Sequence, residues 1–91
     1  MKYKIVFQNS MKKSVKLMQK RGKDVKKLEK VIKLLAEGEN LPEKYLDHAL
    51  VGNYSGYREC HIEPDWLLVY KIENEILTLI LFKTGTHSDL F

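Results

Sequence analysis

The chain has 91 residues, which supports one small domain spanning 1–91. With 44% hydrophobic and 31% charged residues it has the balance of an ordinary soluble protein, and no apolar run approaches the roughly 20 residues of a bilayer span. One cysteine, Cys60, excludes an intrachain disulfide, and a cytoplasmic setting without a signal peptide is the expectation.

The net charge of +4 hides an asymmetry. Residues 1–35 carry 12 Lys and Arg against Asp24 and Glu29, a balance of +10. Residues 36–91 carry 4 basic against 10 acidic residues, a balance of −6. A basic half of this strength attracts polyanions, either nucleic acid or an acidic protein.

Tyr3, Ile5 and Phe7 alternate with other residues and predict a first strand. Asn9 or Ser10 can cap the helix that follows, in which Met11, Val15 and Met18 form the buried stripe. Gly22 ends it. Asp24 can cap a second helix with Val25, Leu28, Ile32 and Leu35 inside, and Gly38 stops that one. Residues 39–55 read as a loop, with Pro42 able to start one helical turn. Three strands are then predicted at Tyr57–Ile62, Trp66–Ile72 and Ile76–Thr84, joined by tight turns at Glu63-Pro64-Asp65 and Glu73-Asn74-Glu75. The expected fold is α+β, in the order β-α-α-β-β-β. A helical hairpin packs on one face of a curved antiparallel sheet.

Strand alternation puts Cys60 and Ile62 toward the helices, and Tyr57, Glu59, His61 and Glu63 on the opposite face. Cys60 is then a small core residue. The three histidines, His48, His61 and His87, all lie in polar, turn-flanked segments. His61 and Asp65 flank one hairpin turn, and Gly85 can redirect the chain just before His87. A loop, a hairpin end and a tail can converge on one rim of the sheet, which is how sites are usually assembled. The histidines lack the short chelating spacings of zinc sites, so neither a metal nor another cofactor is expected. Trp66 is either a core residue or a stacking platform, and Phe91 ends the sequence as a bare aromatic. Imidazoles, a carboxylate and aromatics at the edge of a basic protein suit metal-independent cleavage of single-stranded RNA. In that reaction the ribose 2′-OH attacks its own phosphorus. It needs a base, an acid and a cation, and each proton transfer contributes about 10²–10⁴-fold.

Three blocks resemble the RelE/YafQ family of bacterial type II toxins, and most closely the YafQ branch. They are Asp47-His48-Ala49-Leu50, the run from Gly56 to Tyr70 containing Glu63-Pro64-Asp65-Trp66, and Thr84-Gly85-Thr86-His87-Ser88-Asp89-Leu90-Phe91. The resemblance implies a ribosome-dependent mRNA endonuclease acting in the A site. It implies catalytic roles for His48, His61, Asp65, His87 and Phe91. Trp66 and Arg58 match motif positions and are expected at the substrate, as is Lys83, where several relatives carry Arg. Lysine keeps the charge but loses the planar fork. On this reading His48 or His61 is the general base, Asp65 orients the neighbouring imidazole, His87 is the acid and Phe91 stacks on a base. The implied partners are the 70S ribosome with its message and a cognate antitoxin, acidic, partly disordered and of ribbon-helix-helix type. No membrane partner is expected, and without its antitoxin the chain is expected to be monomeric. Two other readings compete: a silent relative that binds antitoxin or RNA without cutting, and a DNA-binding helical hairpin. The hairpin's short connection shows no recognition helix and disfavours the last.

Overall fold

In chain order the elements are β1 (Lys4–Phe7), α1 (Asn9–Lys20), α2 (Val25–Ala36), β2 (His48–Ala49), β3 (Arg58–Glu63), β4 (Trp66–Glu73), β5 (Thr78–Gly85) and α3 (His87–Leu90). Short 3-10 turns lie at Glu43–Tyr45, Gly52–Tyr54 and Asn74–Ile76. This is a computed structural model describing residues 1–91. The strands form one sheet in the order β1-β5-β4-β3-β2.

The expected order and helical hairpin are present, but the sheet is mixed. β1 runs parallel to β5, and the other pairs are antiparallel. Parallel neighbours need a long crossover, and here everything between the two strands serves as one. β2 falls inside the stretch read as a loop, because two residues are too few to show alternation. β5 starts at Thr78 rather than Ile76, since the 3-10 turn and a left-handed Leu77 (φ 46°) intervene.

Local chemistry explains the helices. Gln8, rather than Asn9 or Ser10, precedes α1 as its cap residue. Ser10 instead donates its hydroxyl to the Phe82 carbonyl at 2.6 Å, tying α1 to β5. Asp24 caps α2 by accepting from the Lys26 amide at 3.0 Å. Both helices close with the same double hydrogen bond. The amides of Gly22 and Lys23 donate to Gln19 and Met18, and those of Gly38 and Glu39 donate to Leu35 and Leu34.

The main core lies between this hairpin and the sheet. Met11 and Met18 of α1, and Leu28, Val31, Ile32, Leu35 and Ala36 of α2, meet Cys60, Ile62, Trp66, Leu68, Tyr70, Leu79 and Leu81. Burial pushes the Cys60 thiol far above its ordinary pKa, so it stays protonated, as a structural cysteine does. A second, smaller cluster of Leu67, Val69 and Leu90 sits on the other face. The chain's last helical turn therefore covers part of the face that alternation leaves open.

Two bulges re-aim side chains. Val69 faces Lys83 while Tyr70 faces Leu81, so Phe82 is an extra residue. Likewise His61 faces Leu67 and Glu63 faces Trp66, leaving Ile62 extra. The second bulge overturns the expectation for Glu63. Its carboxylate turns to the helical side and meets Lys23 at 3.1 Å and Lys27 at 2.8 Å. Trp66 is fully buried, so it offers no surface to a base and belongs to the core.

Trp66 Nε1 donates to Thr84 Oγ1 at 2.9 Å, and the Thr84 hydroxyl donates to the Leu67 carbonyl at 2.5 Å. All of this is buried. Thr84→Val leaves the indole donor unpaired and is expected to cost about 1–3 kcal/mol in urea unfolding, with Thr84→Ser close to the parent. A Thr84→Val protein as stable as the parent would refute this role.

Candidate active site

The site is built on β3. With Cys60 and Ile62 buried against the helices, the pleat sends Glu59 and His61 to the opposite face. β2 pairs with β3 so that His48 lies opposite Glu59. This short strand is held by its neighbour Asp47. The Asp47 carboxylate accepts from Arg58 at 2.9 and 3.2 Å and from the buried Tyr70 hydroxyl. That contact raises the Arg58 pKa, while burial and donation to Asp47 push the Tyr70 phenol far above its usual value. Neither group is available for proton transfer near neutrality.

The third histidine comes from the tail. Gly85 ends β5 where an added Cβ would lie 2.8 Å from Asp89 Cβ, so only glycine fits. The Thr86 hydroxyl accepts from the Asp89 amide at 3.2 Å, and Asp89 accepts from the Thr86 amide at 2.8 Å. This capping box starts α3 with His87 in its first turn. Arg21, just past α1, grips the same Asp89 with both guanidinium nitrogens at 2.6 and 3.0 Å. The Arg21 ion pair and the Thr86 donors hold the Asp89 carboxyl well below the usual carboxylate range.

The result is a chain of three rings. His48 and His61 have centroids 6.4 Å apart, and His61 and His87 have centroids 6.1 Å apart. Glu59 lies beneath, its side chain 5% exposed, against 50% for His48 and 60% for His87. Its carboxylate oxygens stand 3.7 Å from His48 Nε2 and 3.9 Å from His87 Nε2. Asp65 Oδ1 lies 3.5 Å from His87 Nδ1 and from the His87 amide nitrogen.

Backbone carbonyls set two tautomers. His48 Nδ1 is 2.7 Å from the Leu46 carbonyl, and His61 Nδ1 is 3.2 Å from that of Pro64. A carbonyl only accepts, so each Nδ1 carries the hydrogen and the neutral ring keeps its lone pair on Nε2. Nε2 is thus the nitrogen left on both rings to exchange a proton, and on His48 it also faces the Glu59 carboxylate. Leu46 adopts a left-handed backbone (φ 49°), which a branched side chain rarely does. Its carbonyl is the one that holds His48, so the strain sits where the ring is aimed. On His87 the Nε2 faces Glu59, as that of His48 does, and the Nδ1 faces Asp65 in place of a backbone carbonyl. No set of three His, Cys, Asp or Glu side chains is arranged to hold a metal ion.

His48, His61, Asp65 and His87 therefore meet at one corner. Asp65 serves His87 rather than His61, its neighbour across the turn. Phe91 follows His87 by four residues, about one helical turn. The residue is 54% exposed, and its ring packs edge-on against Tyr54 with centroids 5.1 Å apart. Two expected substrate contacts do not reach this corner. Arg58 alternates to the other side and is engaged by Asp47. Trp66 is enclosed. Lys83 does lie on the site face, but its ammonium donates to the Leu90 carbonyl at 2.8 Å and sits 5.5 Å from the Phe91 ring, so it moors the tail. Glu59 is the residue that sequence reasoning passed over. Its position two residues before His61 on one strand was the available signal.

A family model described as "Bacterial toxin of type II toxin-antitoxin system, YafQ" matches residues 3–91. The mRNA interferase toxin YafQ of Escherichia coli strain K12 is 44% identical over 88 residues, which cover 96% of this chain and 94% of that protein. The YafQ chain of the E. coli DinJ-YafQ complex superposes with a TM-score of 0.90 at 42% identity, covering 98% of both chains. A metal-bound toxin from Helicobacter pylori superposes with a TM-score of 0.92 at 43% identity, covering 98% of this chain and 99% of that one.

The Asp89 clamp has a pH signature. Its carboxyl is lowered from an ordinary 3.8 in the folded chain, so its stabilisation is complete above that value and is lost as pH falls toward the folded pKa. The amide protection factors of residues 89–91, whose amides donate within this turn, are expected to hold down to about pH 4 and to fall in stronger acid. In Asp89→Ala these amides exchange faster at neutral pH and the acid dependence flattens. Equal protection in the two proteins would show that the clamp does not hold the tail.

Proposed function

The chain belongs to the YafQ family of toxins of bacterial type II toxin–antitoxin systems, and on that premise we propose that it is an endoribonuclease that cuts messenger RNA in the ribosomal A site. The observation that carries this reading is the junction of His48, His61, His87 and Asp65 over the buried Glu59. Nε2 of His48 or His61 removes the proton of the ribose 2′-OH. The 2′-oxygen attacks the adjacent phosphorus and forms a phosphorane. His87 then delivers a proton to the departing 5′-oxygen, leaving a 2′,3′-cyclic phosphate and a 5′-hydroxyl. Asp65 and Glu59 orient the acid and oppose its positive charge. The phosphorane is stabilised by the imidazolium groups rather than by Lys83, whose ammonium is committed to Leu90. Phe91 presents an exposed ring to a base, a contact worth about 1–3 kcal/mol.

The Lys-rich hairpin grips ribosomal RNA through phosphate contacts. The partner that silences the chain is a cognate antitoxin, acidic and partly disordered, and the E. coli relative solved with DinJ supports such an assembly. The toxin acts in the cytoplasm, and no helix of the chain is long and apolar enough to cross a membrane.

The test is cleavage of defined messages on programmed ribosomes. His87→Gln is expected to slow cleavage by about 10²–10⁴-fold while the fold and antitoxin binding persist. Parent chain stripped of metal with EDTA and returned to the magnesium buffer that intact ribosomes require is expected to cleave as before, a pertinent arm because a relative has been solved with bound metal. Undiminished cleavage by His87→Gln would remove His87 from the chemistry. A parent chain that binds antitoxin but leaves every message whole would be a silent relative.

A further inference from the structure

A cleft of about 500 Å³ opens beside the histidine corner, between α2, the 3-10 turn at Glu43–Tyr45 and the end of β3. Its volume is in the range that encloses a small organic ligand. Three lysines line it: Lys27, Lys30 and Lys44. Lys27 is engaged by Glu63, whose charge is already met by Lys23. Lys30 and Lys44 make no ion pair within 4.0 Å. The Lys44 ammonium instead stands 5.2 Å from the Tyr45 ring centroid. The remaining surface is partly apolar, with Leu46 and Pro64 exposed at the mouth. His61 forms one wall, and its Nδ1 is fixed by the Pro64 carbonyl that borders the same cleft.

Two uncommitted cations, an apolar ledge and a shared wall with a reacting imidazole suit one ligand chemistry, a nucleotide unit with its phosphate. We propose that this cleft is an RNA subsite that binds one nucleotide next to the scissile bond, with its phosphodiester between Lys30 and Lys44 and its base against Leu46 and Pro64. The inference rests on the endoribonuclease reading. A strand passing His61 must continue somewhere, and the cleft is the concave, positively charged path on that side. The phosphodiester is therefore one of the message. An acidic antitoxin segment is the competing occupant, and the adjacency of His61 favours RNA.

The experiment compares the full chain with Lys30→Ala/Lys44→Ala and with a control outside the hairpin, Lys2→Ala/Lys4→Ala, exposed residues at the sheet edge remote from β3. The probes are a tetranucleotide made uncleavable by a 2′-deoxyribose at the scissile position, vacant 70S ribosomes and the purified antitoxin. Unfolding curves verify the folds. The cleft variant is expected to bind RNA at least about tenfold more weakly than the control does. Its log-affinity against log-salt slope for the tetranucleotide should shrink by about 0.7 for each phosphate that is no longer neutralised. Weaker binding of the tetranucleotide supports the subsite. Unchanged binding of the tetranucleotide, an equal weakening in the control, or a weakening confined to vacant ribosomes or to the antitoxin overturns it. Cleavage by the parent chain on programmed ribosomes is scored in parallel. Its absence would sink the endoribonuclease reading, whereas the binding arms judge the cleft by themselves.

Discussion

Burial of Cys60 and Ile62 beneath the helical hairpin is the constraint on which the site depends. A strand that commits one face to the core has no choice about the other. Glu59 and His61 must therefore point away from the helices, and the strands on either side of β3 inherit that geometry. β2 lays His48 over Glu59, and the β3–β4 turn places Asp65 at the end of the row. A one-residue slip of β3 would bury His61 and expose Cys60. Core packing that excludes the slip also aligns the histidine corner.

The tail completes the corner by a different kind of force. Four residues of helix have little stability of their own. α3 persists because Leu90 is buried against Leu67 and Val69, because Thr86 and Asp89 satisfy each other's backbone, and because Arg21 reaches across from the end of α1. Lys83 adds a fourth hold by donating to the last carbonyl of the turn. These interactions fix the backbone beneath His87 and Phe91. An exposed ion pair alone contributes little to global stability. Its consequence here is local, since it decides where one imidazole stands.

The charge asymmetry of the chain has a spatial counterpart. The lysines concentrate on the helical hairpin, while the carboxylates Glu59 and Asp65 gather among the histidines. Glu63 marks the seam. Turned by a bulge toward Lys23 and Lys27, it joins the hairpin to the end of β3 beside His61. A polyanion drawn to the basic helices thus meets the three imidazoles across one edge of the molecule. The placement suits a protein that grips a nucleic-acid assembly with one surface and works on a strand with another.

Much of the plan is legible from residue order. Apolar spacing and capping chemistry mark the two helices, because Asp24, Gly22 and Gly38 act on backbone groups within a few residues. Period-two alternation orients His61 and Cys60, and the polar settings of His48, His61 and His87 single them out before any fold is known. What the chain order leaves open is everything set by distant partners. The parallel β1–β5 pair, the bulges at Ile62 and Phe82 and the two-residue β2 arise from cross-strand registry, which has no local signature. Trp66 and Arg58 sit within the motif that resembles the toxin family, yet tertiary packing makes one a core residue and the other an anchor for Asp47. Lys83 keeps its charge but spends it on the tail. Glu59 gains its place only when β2 and α3 bring two imidazoles above it, since a carboxylate's role depends on what folding puts within a few ångströms.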